Sequence, residues 1–295
     1  MLLGEFGMKI FTKLALVSSM LISVNAMAMQ AMDDASMSAT TGQDGLNIGI
    51  KLDNAGISIG KLYVHDNDGL GTDTNITGAT GTAGAIAING VTVKQTNTSE
   101  NLLDLKIDTN GSATTSNGAQ GAFLNIAATV GAVDIDIGSI GIGSSNTAVN
   151  TTTGLRGIKE TNPTEILSGL TLSLGKVAAN IQLGATPQGA MIVLNSTLQK
   201  GLTISNLGIN DAAGGGQIYL DNIYVRGADN TTGDLTLNAT VGVTANGIVI
   251  KNNSAQNINT YIQGVHLGSS TAKSIGDVEV AGLNVGNSTI TISGH

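Results

Sequence analysis

Apolar residues spaced at i, i+2, i+5 and i+7 around a small central pair recur along this chain and limit what it can fold into. Ile57, Ile59, Leu62 and Val64 carry the spacing first, around Gly60 and Lys61. It returns at Ile86/Ile88/Val91/Val93, Ile135/Ile137/Ile140/Ile142, Leu202/Ile204/Leu207/Ile209, Ile218/Leu220/Ile223/Val225 and Val278/Val280/Leu283/Val285. Weaker copies lie at Leu172/Leu174/Val177/Ala179 and Thr260/Ile262/Val265/Leu267. Alternation of period 2 on each side of the pair puts all four apolar side chains on one face of two short strands.

Two geometries suit the central pair. As a hairpin turn, Asn89-Gly90 fits type I′, while Gly60-Lys61, Gly138-Ser139 and Gly175-Lys176 fit type II′. As the corner of a parallel β-solenoid coil, it lets inward residues stack on the next coil. Uneven spacing between copies weakens the solenoid, and the poor turn pairs Ser205-Asn206, Asp221-Asn222 and Ala281-Gly282 weaken the hairpin. The predicted class is all-β: an irregular β-solenoid-like or stacked short-strand protein, with an antiparallel hairpin sandwich as the alternative. Helix signals are confined to one or two turns over residues 35–38 and one turn into Ile166 and Leu167. The latter is started by Asn162, Pro163 and Glu165. Stretches rich in Gly, Thr, Ser and Asn at 71–84, 108–121, 143–154, 211–216 and 227–233 read as exposed loops.

Composition fits this class. The 295 residues include 41 Gly, no Cys, no Trp and 2% aromatics, so the core must be built from Ile, Leu, Val and Ala. Charged residues make up 12%, with a formal net charge of −8. No basic stripe is present to neutralise phosphates, which argues against a nucleic-acid partner. The length suits one large all-β domain or two ordinary ones. Residues 159–165 are the most charged in the middle of the chain and mark the expected joint. The expected division is 1–28, 29–158 and 159–295, one continuous mature domain being the alternative.

Residues 1–28 read as a signal peptide. Lys9 and Lys13 form a basic n-region, residues 14–24 an apolar h-region, and Ala26-Met27-Ala28 a small-x-small cleavage site. The h-region and every later apolar run are too short for a membrane-spanning helix. The mature chain is thus expected to be exported, to the cell surface, a pilus or the medium by way of the periplasm. Immediately after the signal come Met32, Asp33, Asp34, Met37, Ser38, Thr41, Gly42, Gln43, Asp44 and Gly45. An alternating strand over 46–52 and the run Asp66-Asn67-Asp68-Gly69 follow. This stretch resembles the N-terminus of FilA-type putative pilus-system proteins of Gram-negative bacteria. The resemblance covers about the first sixth of the mature chain. It implies a filament-associated or surface role and brings no catalytic residues with it.

Chemistry-bearing constellations are sparse. All four tyrosines fall on outward positions of the repeat, and Tyr219 and Tyr224 share one unit, where they suit a docking or adhesive patch. Tyrosine also simply favours strands, the plainer reading. Asp66, Asp68 and Asp73 surround a glycine turn, and Ca²⁺ takes several carboxylate oxygens from such a loop. The stretch lacks the terminal Glu of an EF-hand, so an Asx turn is the simpler account. Asp134 and Asp136 point outward side by side, as a glycoside hydrolase pair would, but no Trp or Arg cluster accompanies them. They also suit an acidic ladder that discourages edge aggregation. His65, His266 and His295 are too scattered for a metal site, and no nucleophile or phosphate-loop motif occurs.

The expectation is therefore a non-enzymatic, exported structural subunit or accessory protein of a pilus-like or surface filament system. Its partners are other subunits or further copies of itself. No cofactor is required, calcium being the one ion the sequence accommodates. A surface adhesin, acting through the tyrosine pair or a calcium loop, is the alternative.

Overall fold

The computed structural model describes residues 45–71, 76–114 and 120–294. The signal-like segment, the FilA-like run before Gly45, the short helix over 35–38, Asp73 and His295 lie outside them. The described strands belong to one compact unit, Gly45–His295.

The chain visits two antiparallel sheets in turn, two strand lines at a time. β1 (Leu46–Ile50) starts sheet 1, then β2 (Ile57–Ile59), β3 (Leu62–His65), β4 (Gly84–Ile88) and β5 (Val91–Gln95) enter sheet 2. β6 (Leu103–Thr114) and β7 (Gln120–Val130) return to sheet 1, and β8 (Val133–Ile137), β9 (Ile140–Ser144), β10 (Thr164–Leu167) and β11 (Leu170–Leu174) to sheet 2. β12 (Val177–Gly184) and β13 (Ile192–Leu198) lie in sheet 1, β14 (Leu202–Asp211) and β15 (Gly216–Gly227) in sheet 2. β16 (Leu235–Thr244) and β17 (Gly247–Asn252) join sheet 1, β18 (Ile258–Leu267) and β19 (Ser274–Leu283) sheet 2, and β20 (Ser288–Ile292) closes sheet 1. Strands from both sides of residue 159 occur in both sheets. Among the described residues there is no helix, and neither sheet closes on itself.

The all-β, stacked-strand expectation holds. The central pair of the repeat, however, is neither a hairpin turn nor a coil corner. It is a kink inside one continuous strand line. β2–β3 and β4–β5 keep a single register across it, with Ile57 opposite Val93, Ile59 opposite Val91, Leu62 opposite Ile88 and His65 opposite Ala85. β4–β5 and β8–β9 do the same, from Gly84 opposite Ser144 to Gln95 opposite Val133. Neighbouring kinks bond to each other: Asn89 N–H donates to the Ser139 carbonyl and Gly138 N–H to the Gly90 carbonyl, both at 2.8 Å. A Cβ on Gly138 would lie 1.9 Å from the Asn89 carbonyl oxygen, so only glycine fits there. Counting β2–β3, β4–β5, β8–β9 and β10–β11 as one line each, sheet 2 has eight lines, as sheet 1 has eight strands.

The repeat thus exists to build ladders across the sheets. In sheet 2 one row runs Ile57, Val93, Ile135, Leu172, Ile204, Ile223, Ile262, Val278 through successive pairings. In sheet 1 the matching row is Leu46, Ile107, Ile126, Ile181, Ile192, Val241, Ile250, Ile290. The six middle rungs of each are half-buried, while the end rungs are open. Ile57 is 46% and Val278 47% exposed, and Leu46 and Ile290 are each 56% exposed. Cross-strand aliphatic contacts of this kind are the unit of sheet stability.

Four local expectations are corrected. The turn of helix at Ile166 and Leu167 is strand β10. Leu167 pairs with Ile140 on one side and Ile209 on the other, which outweighs a cap that could start only one turn. The copy at Leu172/Leu174/Val177/Ala179 is a crossing between sheets, because β11 ends at Leu174 and β12 begins in sheet 1 at Val177. The last copy is displaced along the chain: β19 breaks register beside Gly276 (φ 134°), so Ile275, Val278 and Val280 flank its kink. The stretch 108–114 is strand, the end of β6, rather than loop. The segment after 143–154 folds back, and the Glu160 carboxylate accepts a 2.6 Å bond from Ser144 N–H.

Candidate functional site

Opposite the aliphatic rows in the alternation, sheet 2 carries two adjacent polar rows, and these bring together Asp134, Asp136, Tyr224 and Tyr261. One runs Ser58, Thr92, Asp136, Thr171, Ser205, Asn222, Gln263. The other runs Lys94, Asp134, Ser173, Thr203, Tyr224, Tyr261, Glu279. Strand pairing thus brings Asp134 and Tyr224 into one row, although 90 positions separate them in the chain.

Side-chain bonds tie the rows together. Thr171 Oγ1 donates to Asp136 Oδ1 at 2.8 Å, and Lys94 Nζ lies 3.6 Å from Asp136 Oδ2. Ser205 Oγ donates to Asn222 Oδ1 at 2.7 Å, and Asn222 Nδ2 to Gln263 Oε1 at 3.2 Å. Tyr224 OH donates to the same Gln263 oxygen at 3.3 Å. The Arg226 guanidinium sits 5.2 Å from the centre of the Tyr224 ring and donates to Thr203 Oγ1 (2.7 Å) and the Leu202 carbonyl (2.5 Å). A shallow groove of about 320 Å³ opens beside it, lined by Asp134, Ser173, Lys200, Thr203 and Arg226 among others.

Tyr219 stands on the other side of the kink in β15. Its hydroxyl donates to Asn206 Oδ1 at 2.9 Å, and its ring meets His266 edge-on at 5.9 Å. A second depression, about 350 Å³, lies between Tyr219, Asn206, Thr171 and Asp136. Asn206 has φ 62°, a left-handed conformation that asparagine tolerates, and it absorbs the kink of β14. His266 faces acceptors with both ring nitrogens: Nδ1 donates to the Ala272 carbonyl at 2.6 Å, and buried Nε2 lies 3.3 Å from Asp221 Oδ1. The Ala272 carbonyl first and Asp221 second hold the imidazole above its ordinary pKa. Tyr261 OH donates to Asp277 Oδ2 at 2.5 Å, raising the phenol pKa. Gly264 N–H donates to the same carboxylate at 2.8 Å, and these two bonds, the amide first, lower the Asp277 pKa.

Asp66 Oδ1 accepts from Asp68 N–H (3.4 Å) and Gly69 N–H (3.2 Å), the pattern of an Asx turn. Asp73 lies outside the described residues, and among the described residues no three His, Asp or Glu side chains converge as metal ligands. Sequence reasoning found the tyrosines and the paired aspartates. It missed Arg226 and Thr203 and set His266 aside, because their roles arise from pairing across strands. The alternation of polar residues on those strands was the available signal.

Among the described residues, both edges of both sheets are open: β1 pairs only with β6, β20 only with β17, β19 only with β18, and β2–β3 only with β4–β5. No described helix is long and apolar enough to cross a membrane.

Residues 8–137 match a family of unknown function (DUF6160). The match ends at Ile137, the last residue of β8 before its kink. No curated protein and no solved structure matches the chain.

Proposed function

We propose that this chain is an exported, non-enzymatic structural subunit or accessory protein of a pilus-like surface filament. The carrying observation is the two open sheets, whose aliphatic ladders end in exposed rungs at both edges. A sheet edge left unpaired is a template for another chain, and natural monomers usually blunt it. Asp136, engaged by Thr171 and Lys94, reads as a strut rather than a catalytic acid. The signal-like N-terminus and the FilA-like run from Met32 to Gly45 support delivery to the surface.

Shearing intact cells and examining the released material by immunogold negative-stain microscopy tests the reading. Label along filaments is the expected result. A chain recovered only as a periplasmic monomer would sink it.

A second reading is favoured by one observation, the polar row that combines Tyr224, Tyr261, Arg226 and Asp134 beside a groove. That surface suits an adhesin contacting a polar ligand. If calcium at Asp66 and Asp68 belongs to this role, calorimetric titration with Ca²⁺ gives heat and a chelator lowers the melting temperature. Absence of both changes would remove the metal from the reading.

A further inference from the structure

We infer that copies of this chain join head to tail, with β19 and β20 of one copy pairing with β2–β3 and β1 of the next, so that both sheets run on through the junction. The inference rests on the filament reading and names its partner, a second copy of the same chain.

Strand polarity is the first argument. Every pairing in both sheets is antiparallel, and each sheet has eight lines, so the first and last lines of each sheet run in opposite directions. A second copy can therefore extend both sheets without breaking the alternation. An odd count in either sheet would force a parallel contact there. Short connections keep the two edges of each end together, 51–56 between β1 and β2 and 284–287 between β19 and β20.

Register is the second. Setting the kink at Gly276 and Asp277 level with Gly60 and Lys61 places Val278 opposite Ile59, Val280 opposite Ile57 and Ile275 opposite Leu62. All six side chains are exposed in the single copy. In sheet 1 the matching junction sets Ile290 beside Leu46, so apolar rungs meet apolar rungs in both sheets. Charge agrees with this polarity. The N-terminal edge presents Lys61, and the C-terminal edge presents Asp277 and Glu279, so pairing two C-terminal edges would set acid against acid. Neither β1 (LNIGI) nor β20 (STITI) carries the charge or proline that protects natural edges.

The chain has no cysteine, so engineered thiols report the junction cleanly. Ser58 and Glu279 come opposite each other in this register. The Ser58→Cys/Glu279→Cys double variant of the purified full chain, mildly oxidised, is expected to give a reducible ladder of dimers, trimers and longer species. Neither single variant should give it. A double variant that stays monomeric, or single variants that dimerise as readily, overturns the head-to-tail junction. Ile59→Lys provides the second measurement: with the far-UV spectrum unchanged, sedimentation should show association weakened roughly tenfold or more. Undiminished association overturns the register. The two readings separate cleanly. Surface filaments containing a chain that stays monomeric when purified would remove this junction and leave the filament role. A purified chain that polymerises but never reaches the surface would do the reverse.

Discussion

At the residue scale, the fold sets His266 between two acceptors. With the Ala272 carbonyl on one nitrogen and Asp221 near the other, the charged form is favoured and the folded pKa lies above the unfolded value of about 6.5. The stabilising contribution is fully present below the unfolded value and is lost as pH rises through the raised folded value. NMR titration of the imidazole should give a midpoint above the ordinary one, moved down in Asp221→Asn. Thermal melts of wild type and His266→Gln should diverge most at acidic pH and converge as pH rises. A midpoint at or below the ordinary value would contradict the geometry. His266 was unremarkable in the sequence because both its acceptors come from folding: Ala272 through the β18–β19 connection, and Asp221 through pairing with β15.

At the element scale, the kinked strand line is the building unit, and its glycines are structural. Gly138→Ala drives a methyl group onto the Asn89 carbonyl of the neighbouring line. Overpacking of this kind costs roughly 1–3 kcal/mol, and urea unfolding should show a loss of that order. A substitution at Gly90 meets no neighbouring atom, but its positive φ of 97° makes it strained for a different reason. The four-residue apolar spacing was legible in the sequence at most of its copies, and so was the β class. The kink was not, because a reversal and an in-line kink put the same residues on one face. What decides between them is a bond partner 50 positions away, as in Asn89 Nδ2 to Ser139 Oγ at 3.0 Å. The same limit explains the candidate surface: Tyr224 and Asp134 could each be singled out, but that they share a row with Tyr261, beside Arg226, emerges only once the strands are paired.

At the scale of the whole molecule, seven interstrand steps of about 4.8 Å separate the two edges of each sheet by roughly 34 Å. Stability should be graded along that line. Hydrogen exchange followed by mass spectrometry is expected to find β11, β12, β13 and β14 slowest and β1, β19 and β20 fastest in dilute protein. The edges should gain protection as concentration rises, and uniform protection at all concentrations would argue against the gradient. The chain's habit of visiting the sheets in turn has a further consequence, for how it is made. Apart from hairpin partners, each new line in a sheet pairs with the line laid down before it, never with one to be made several turns later. A polypeptide emerging N-terminus first from a narrow pore could therefore complete itself in order of arrival, each pair of lines finding its template in place. Such a chain keeps few unsatisfied edges waiting at any moment of its passage, which is the condition under which slow β-pairing most often goes astray.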